Sequence, residues 1–399
     1  MRPAPGVEAF PGAVAADAPR VTRRLTVAAG PGWRSTGLYV PAGEVVRLVR
    51  VGAGAPWTVR VGCHTDRLWA QPRWSRWPEV AGRWTLDADE LRVASLVRGL
   101  ALPRARPRQR RADRRGHGRG RGADGRPHRP REHCRLARAA PGARALAELH
   151  ARHLSLTVPS ASIRALDDPA PILRFWDRVL ACYAELGQRP LPARAERFVA
   201  DVQLSPAATC TRATRSDSTF DVATPQGGRP PLVLDLERLE REGSWGHFHE
   251  LGHNHQQRAW TFAGTTEVTC NLFTLYVMDT VVGIEPWEHP WLASGRTKVA
   301  DYLAQGAPYP RWTREPDLAL AFYAEVQRAF GWAPFQAAFR AYREQGLDPA
   351  TDAEKRDRWL LELSRAVGRD LGPHFERWGI PTSAEARAQL RDLPPWQPE

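Results

Sequence analysis

Two histidines four residues apart, His249 and His253, stand in the segment HFHELGHNHQQ, residues 247–257. On a helix that spacing sets both imidazoles on one face, about one turn apart, where they can grip a single metal ion. Glu250 follows the first of them and is placed to take a proton from a water held at that ion. Zinc used for hydrolysis takes three protein ligands and keeps a fourth position open. The third ligand is sought nearby, and Glu267 lies fourteen residues beyond His253 in GTTEVTCNLFTLYVMD. In that stretch Val268, Leu272, Leu275 and Tyr276 recur at helical spacing, so Glu267 belongs to a second helix. A turn through Trp260, Thr261, Phe262, Ala263 and Gly264 brings this helix back over the first. One zinc ion on His249, His253 and Glu267, with Glu250 as general base, predicts metal-assisted peptide hydrolysis. His247 and His255 also allow a plainer reading, a histidine-rich surface patch. No residue stands out as the oxyanion donor or as a substrate contact.

The elements that must carry this site are legible in outline, and they predict an α+β protein. Residues 1–20 read as an N-terminal tail. Residues 21–160 read as a β-rich, sandwich-like module, in which Gly37–Val40, the turn Pro41–Gly43 and Val45–Val51 form a strand–turn–strand unit. Trp57–Val61, Trp84–Leu86 and Leu154–Val158 are further strands. Residues 161–399 read as a mainly helical catalytic domain. Its first helix covers Ile172–Leu186, with Ile172, Phe175, Val179 and Tyr183 on one face. Later helices carry the stripes Leu318, Phe322, Val326, Ala329 and Phe335, Phe339, Tyr342. Thr351 and Glu354 have capping-box spacing ahead of a helix over Trp359–Val367 that Gly368 closes, and Thr382 with Glu385 repeats the device.

The net charge of +13 suggests a nucleic-acid partner until it is located. Residues 97–145 hold sixteen Arg, no Lys, two Asp and one Glu, which accounts for the whole excess; the rest of the chain is neutral. Nucleic-acid surfaces spread basic residues over a folded face and interleave aromatics for stacking. This segment has no aromatic residue and few aliphatic ones, so it predicts disorder and no nucleic-acid partner. The five cysteines are widely spaced and form no CxxC pair, which points to neither a disulfide framework nor a cysteine-based metal site. No apolar run reaches the roughly 20 residues of a membrane helix. The first twenty residues show no secretory signal, which fits either a cytoplasmic protein or a start further upstream.

The segment HELGHNHQ, followed by W-T-F-x-G-T-T-E-V-T-x-N-L-F-T-L-Y, closely resembles the enhancin-like, mucin-degrading zinc metallopeptidases, a gluzincin group. The similarity continues upstream in WRSTGLYVPAGE, GCHTDRL and LTVPSASIRALDDP. Downstream it runs through FGWAPFQAAFRAYR and EKRDRWLLELSRAVGRDLGPHFERWGIP, so it spans most of the chain. The resemblance implies His249, His253 and Glu267 as zinc ligands and Glu250 as general base. It implies a β-module packed on a gluzincin catalytic domain, and secreted or surface enzymes that cut glycoprotein backbones, often beside O-glycosylated Ser or Thr. Glycoproteins or glycopeptides are then the substrates. A zinc aminopeptidase would use the same ligands, and a requirement for a free substrate N-terminus would identify it. A catalytically inactive relative would bind glycoproteins without cutting them. A nucleic-acid binder rests on the Arg run alone, and salt-sensitive DNA binding abolished by deleting residues 97–145 would mark it.

Two stretches depart from the family pattern as a shifted reading frame would make them depart. Where the resemblance leads to SPFGGLIYL, the chain reads Ser95-Leu96-Val97-Arg98-Gly99-Leu100-Ala101-Leu102-Pro103. Back-translated with one base skipped after Ser95, the same stretch encodes S-F-G-G-L-L-Y-L. Where GYMHSGYPI is expected, the chain reads Pro206 to Ser216 as PAATCTRATRS. Joining the last base of each codon to the first two of the next encodes G-G-Y-M-H-S-G-Y-P-I. Only one base in each shifted codon is free; the others are dictated by the residues present. Compensating frameshifts around residues 96–143 and 206–220 are therefore expected, in a chain that keeps its zinc site but is poorly stable and weakly active or inactive. Sequencing the gene is the direct check. A continuous frame that confirms these residues, with no S-F-G-G-L or G-Y-M-H-S-G-Y-P-I in the other frame, makes both stretches genuine divergence.

Overall fold

A computed structural model describes residues 17–27, 32–52, 56–65, 67–97, 99–105, 146–164, 166–192, 194–200, 203 and 231–398. The second suspected frameshift, 206–220, and residues 106–145 of the Arg-rich run lie outside them. The chain divides into two compact units. The first runs through Leu173 and takes back 193–205; the second comprises 174–192 and 206–399. Residues 166–173 and 194–200 thus group with the first unit, although they fall in the span 161–399 expected to be catalytic. Strands followed by helices make this an α+β fold, as expected.

The first unit is built from short strands. A four-stranded sheet has the order β1 (Tyr39–Val40), β6 (Gly99–Ala105), β3 (Trp57–Val61), β4 (Gly82–Leu86), all antiparallel, and β2 (Val45–Val49) pairs with β5 (Glu90–Ala94) in a second sheet. Val40, Val61 and Ala101 of the first sheet share one core cluster with Val46, Leu48, Leu91 and Val93 of the second, which makes the module sandwich-like. The expected strand–turn–strand unit is not a hairpin. After Pro41–Gly43 the chain changes sheets, β1 pairing with β6 and β2 with β5. The alternation of Val46 and Leu48 inward with Val45 and Val49 outward is satisfied by either partner, so it could not choose between them. The expectation of disorder across 97–145 also needs correction. Gly99–Ala105 is a central strand between β1 and β3, and Leu102 is buried, because Gly99, Leu100, Ala101 and Leu102 precede the dense arginines.

A third sheet joins β7 (Leu146–His150) antiparallel to β8 (Leu154–Pro159), and β8 parallel to β9 (Glu196–Val199). Its buried face holds Glu148, which accepts from Ser35, from Thr157 Oγ1 at 3.3 Å and from the Arg197 guanidinium. Burial alone would raise the Glu148 carboxyl; Arg197, His150 and Ser35 outweigh it and hold the group at about 2. A carboxylate lowered on folding stabilises the fold above its unfolded value near 4.5, and that stabilisation is lost as pH falls toward 2. The acid limb of the stability curve, followed by circular dichroism, should therefore lie flatter in Glu148→Gln between pH 4.5 and 2 than in the parent. An unchanged slope would show that Glu148 contributes nothing to it.

The second unit is helical. The helix α1 (Ala170–Leu186) leads into it, followed by α2 (Leu236–Glu242), α3 (Trp245–His255), α4 (Thr266–Val277), α5 (Pro290–Ala304), α6 (Tyr309–Trp312), α7 (Pro316–Phe330), α8 (Ala333–Glu344), α9 (Asp352–Val367), α10 (Gly372–Arg377) and α11 (Ala384–Ala388). The core around the two central helices is aromatic. Phe175 and Trp176 of α1 meet Phe248 of α3, and Tyr183 stacks on Phe273 of α4 at 5.5 Å. Phe335, Phe339 and Tyr342 of α8 pack on Trp359 of α9. The stripe on α7 is shorter than its pattern suggested. Leu318, Phe322 and Val326 are buried, whereas Ala329 is exposed in the last turn, where the helix leaves the core. The Thr351/Glu354 capping box is present and Gly368 ends the helix left-handed, but α9 starts at Asp352, directly after its cap. The helix after Thr382 is capped by Ser383, one residue later than expected.

Candidate metal centre

Ser244 precedes α3, and the helix alternates two kinds of face. Phe248 and Leu251 point into the core, and His249 and His253 lie on the partly open side. His247 and His255 do not form a surface patch. His247 is fully buried beside Ser244 Oγ, and burial pushes it down to about 4. His255 packs on the Tyr183 ring at 4.8 Å. Both belong to the core side of the helix.

The return of α4 onto α3 depends on a few residues between them. A helical turn at Arg258–Trp260 is followed by Gly264, whose φ of +86° few side chains tolerate. Trp260 is buried against Phe339 at 4.6 Å. The start of α9 holds the same turn: Asp352 Oδ2 accepts from Ala263 N at 3.1 Å, and Lys355 Nζ donates to Thr261 O at 3.0 Å. The helices then meet at Gly252. A Cβ there would lie 2.4 Å from the Cys270 carbonyl oxygen, closer than two packed atoms can come, so only glycine permits this approach.

That approach brings the predicted ligands together. His253 Nε2 lies 3.0 Å from His249 Nε2, and Glu267 Oε2 lies 3.0 Å from the first imidazole and 3.3 Å from the second. Ligands on one tetrahedral zinc stand roughly 3.3 Å apart. The far side of each ring is tied down. His249 Nδ1 donates to Asn271 Oδ1 at 2.7 Å, and Asn271 Nδ2 donates to the Glu267 carbonyl at 2.8 Å. His253 Nδ1 donates to Gln256 Oε1 at 2.9 Å, while Gln256 Nε2 donates to Thr266 O and Thr269 Oγ1. With both Nδ1 atoms engaged, both Nε2 lone pairs are left for the shared centre, the arrangement of metal-binding histidines. The donor set and its supports therefore fit a zinc ion.

Without an ion the cluster favours protons on both imidazoles, which a bound metal would displace. Burial works against charge on His249 and His253, yet the Cys270 sulfur and the Glu267 carboxylate outweigh it and raise them to about 10 and about 11. The two imidazoles in turn hold Glu267 far below the ordinary carboxylate range. The pocket is built to hold positive charge. Glu250 is buried on α3 beside His249 and is not one of the clustered donors. Sequence reasoning missed Gln256, Asn271, Gly252 and Cys270. Asn271 stands four residues after Glu267, on the same helix face, and that spacing was the available signal. Cys270, which cysteine spacing gave no reason to notice, joins His249, His253 and Glu267 in the cluster.

Paired histidines one turn apart, with a carboxylate on a second packed helix and strands ahead of the helical unit, define a metallopeptidase fold of the gluzincin kind. The chain belongs to the family Peptidase M60, enhancin and enhancin-like, whose family model matches residues 140–379; the model for the N-terminal domain of M60-like peptidases matches 16–101. The curated relatives include TRPM8 channel-associated factor 2 of Bos taurus, 34% identical over 388 residues, and TRPM8 channel-associated factor 1 of Homo sapiens, 32% identical over 389. Each match takes in 92% of this chain but 40% of the relative. Among solved structures, the IMPa metallopeptidase from Pseudomonas aeruginosa aligns with a TM-score of 0.61 at 17% identity, over 93% of this chain and 50% of its own. The same enzyme in complex with an O-glycopeptide aligns at 0.58 and 18% identity, over 93% of this chain and 51% of its own. No helix among the described residues is long and apolar enough to cross a membrane.

Proposed function

We propose that this chain is a zinc-dependent endopeptidase that hydrolyses peptide bonds in O-glycosylated proteins such as mucins, secreted or held at the cell surface, with residues 161–399 as its catalytic domain. The observation that carries the reading is the meeting of two imidazole Nε2 atoms and one carboxylate oxygen at 3.0–3.3 Å, with both opposite ring nitrogens engaged. Zinc bound there supplies a Lewis acid and lowers the pKa of a water it holds. His249, His253 and Glu267 hold the ion; Asn271 and Gln256 keep the two rings turned toward it. Glu250 takes the proton from the attacking water and returns it to the leaving amine. The substrate class is supported by family membership and by the O-glycopeptide held by the IMPa enzyme.

The test is cleavage of a mucin-type O-glycopeptide and of the same peptide without sugar, with and without a chelator. The chain as written and a version with both frames restored are assayed side by side. Chelator-sensitive cleavage of the glycosylated peptide is expected, most strongly in the restored chain. Cleavage of the bare peptide alone would overturn the substrate class, and cleavage by neither chain would overturn the enzyme. A second reading, a relative that binds glycoproteins without cutting them, draws on the curated relatives' being named for association with a channel. Binding of the glycopeptide without cleavage would mark it.

A further inference from the structure

A fold gains nothing from an indole left in water, so large aromatic rings held open together at a surface mark a contact site. The stretch between β3 and β4 carries three tryptophans, Trp69, Trp74 and Trp77. Trp77 turns inward and packs on the buried pair Val80 and Val97. Trp69 and Trp74 do the opposite. They are 59% and 51% exposed and stand edge to face, with ring centres 5.5 Å apart and planes at 89°. Their seat is tied down on both sides. Leu68 is fully buried; its amide donates to Pro78 O at 2.9 Å, and its carbonyl accepts from Gln71 N and from Trp74 Nε1, each at 2.8 Å. Gln203 holds the other side: its Oε1 accepts from Ser75 N at 2.6 Å, its Nε2 donates to Arg73 O at 2.8 Å, and its carbonyl accepts from Arg76 Nε at 3.1 Å. An aromatic surface fixed before its ligand arrives loses little freedom on binding.

The neighbours of the two rings indicate what covers them. Leu68 is the one branched aliphatic residue between 67 and 79, and it is buried, so the rings are flanked by Arg67, Gln71, Arg73 and Ser75 instead. An apolar partner, a membrane or a protein face, calls for aliphatic side chains beside the indoles. A pyranose ring offers one C–H face, which packs on the electron-rich face of an indole, and a rim of hydroxyls for guanidinium and amide groups to meet. Resting on the glycoprotein reading above, we propose that Trp69 and Trp74 form a shelf for the sugar chains of the substrate. Arg67 is paired with Glu79 at 2.9 Å, whereas Arg73 is exposed and has no carboxylate partner among the described residues, a charge that suits acidic sugars.

Mucin coupled to a solid support tests this, with the Glu250→Gln chain as parent so that substrate is held and not cut. Both tryptophans precede the first shifted stretch, so the chain as written and the frame-restored chain serve alike. Trp69→Ala/Trp74→Ala should weaken binding at least about tenfold, the effect expected where two aromatic anchors are lost. Trp69→Phe/Trp74→Phe keeps two ring faces and should bind much as the parent does. Oligosaccharides released from the same mucin should compete. Zinc per chain should match the parent in every variant, and Trp69→Ala alone, which removes the more exposed ring, gives the answer if the double variant fails to fold. Parent-like binding in the alanine variants would overturn the shelf. Tryptophan-dependent binding that is equally strong on deglycosylated mucin would overturn it in favour of a protein contact, and on phosphatidylcholine–phosphatidylserine vesicles in favour of a membrane. Tryptophan-dependent mucin binding by a chain that cuts no glycopeptide would sustain the shelf while the enzyme falls, so the two readings fail separately.

Discussion

Glu250→Ala, made in the frame-restored chain, should bind zinc as the parent does and lose hydrolysis by a factor on the order of 10²–10⁴. The separation of the two readouts follows from geometry. Glu250 is one residue from His249 but stands outside the donor cluster, so its removal takes away a proton acceptor and no ligand. Because Glu250 is buried, truncation to alanine also leaves a cavity, and Glu250→Gln serves as the control of nearly equal size. The amide fills the space, accepts no proton and should be as inactive as alanine. Elemental zinc per chain and initial rates on the O-glycopeptide are the two measurements. Parent-like rates in either variant would refute the assigned role, and lost zinc would make Glu250 a ligand or a structural support.

The double variant His249→Ala/His253→Ala should lose zinc altogether. It removes two of the three oxygen and nitrogen donors that meet at 3.0–3.3 Å, and Glu267 with a partly exposed side chain cannot hold the ion alone. Two measurements check this. Zinc content after dialysis should fall from about one ion per chain to background. Added zinc should raise the melting temperature of the parent and leave the variant where it was, since a ligand at 100 times its dissociation constant stabilises by about 2.7 kcal/mol. Equal zinc content in parent and variant would place the ion elsewhere on the chain and remove the basis of the proposed function.

Much of the helical unit was legible because its signals are local. A four-residue spacing defines a helix face whatever surrounds it, so His249 and His253 could be paired from their numbers alone. The apolar repeat through Val268, Leu272, Leu275 and Tyr276 announced the second helix, and Glu267 came with it. Capping chemistry at Thr351, Glu354 and Gly368 is likewise contained within a few residues, and it appears as read. The β-module was less legible. Two-residue β1 and the alternating β2 carry hydrophobic patterns that satisfy any partner strand, and pairing with β6 and β5 depends on contacts some forty to sixty residues away in sequence. A basic composition after Pro103 also concealed that Gly99–Ala105 is a central strand.

By itself, then, the sequence determined the family, the order of strands before helices and the two histidines with their neighbouring glutamate, all of which rest on short-range spacing and residue type. The tertiary structure decided how closely the two helices approach. That distance depends on the absent side chain of Gly252, on Trp260 seated against Phe339, and on Asp352 and Lys355 reaching back from a helix nearly ninety residues later. The same approach selected Asn271 and Gln256 as supports and brought the Cys270 sulfur beside the imidazoles. Periodicity says which face of a helix a residue occupies, but only packing sets the distance to the facing helix, and metal coordination is decided by that distance.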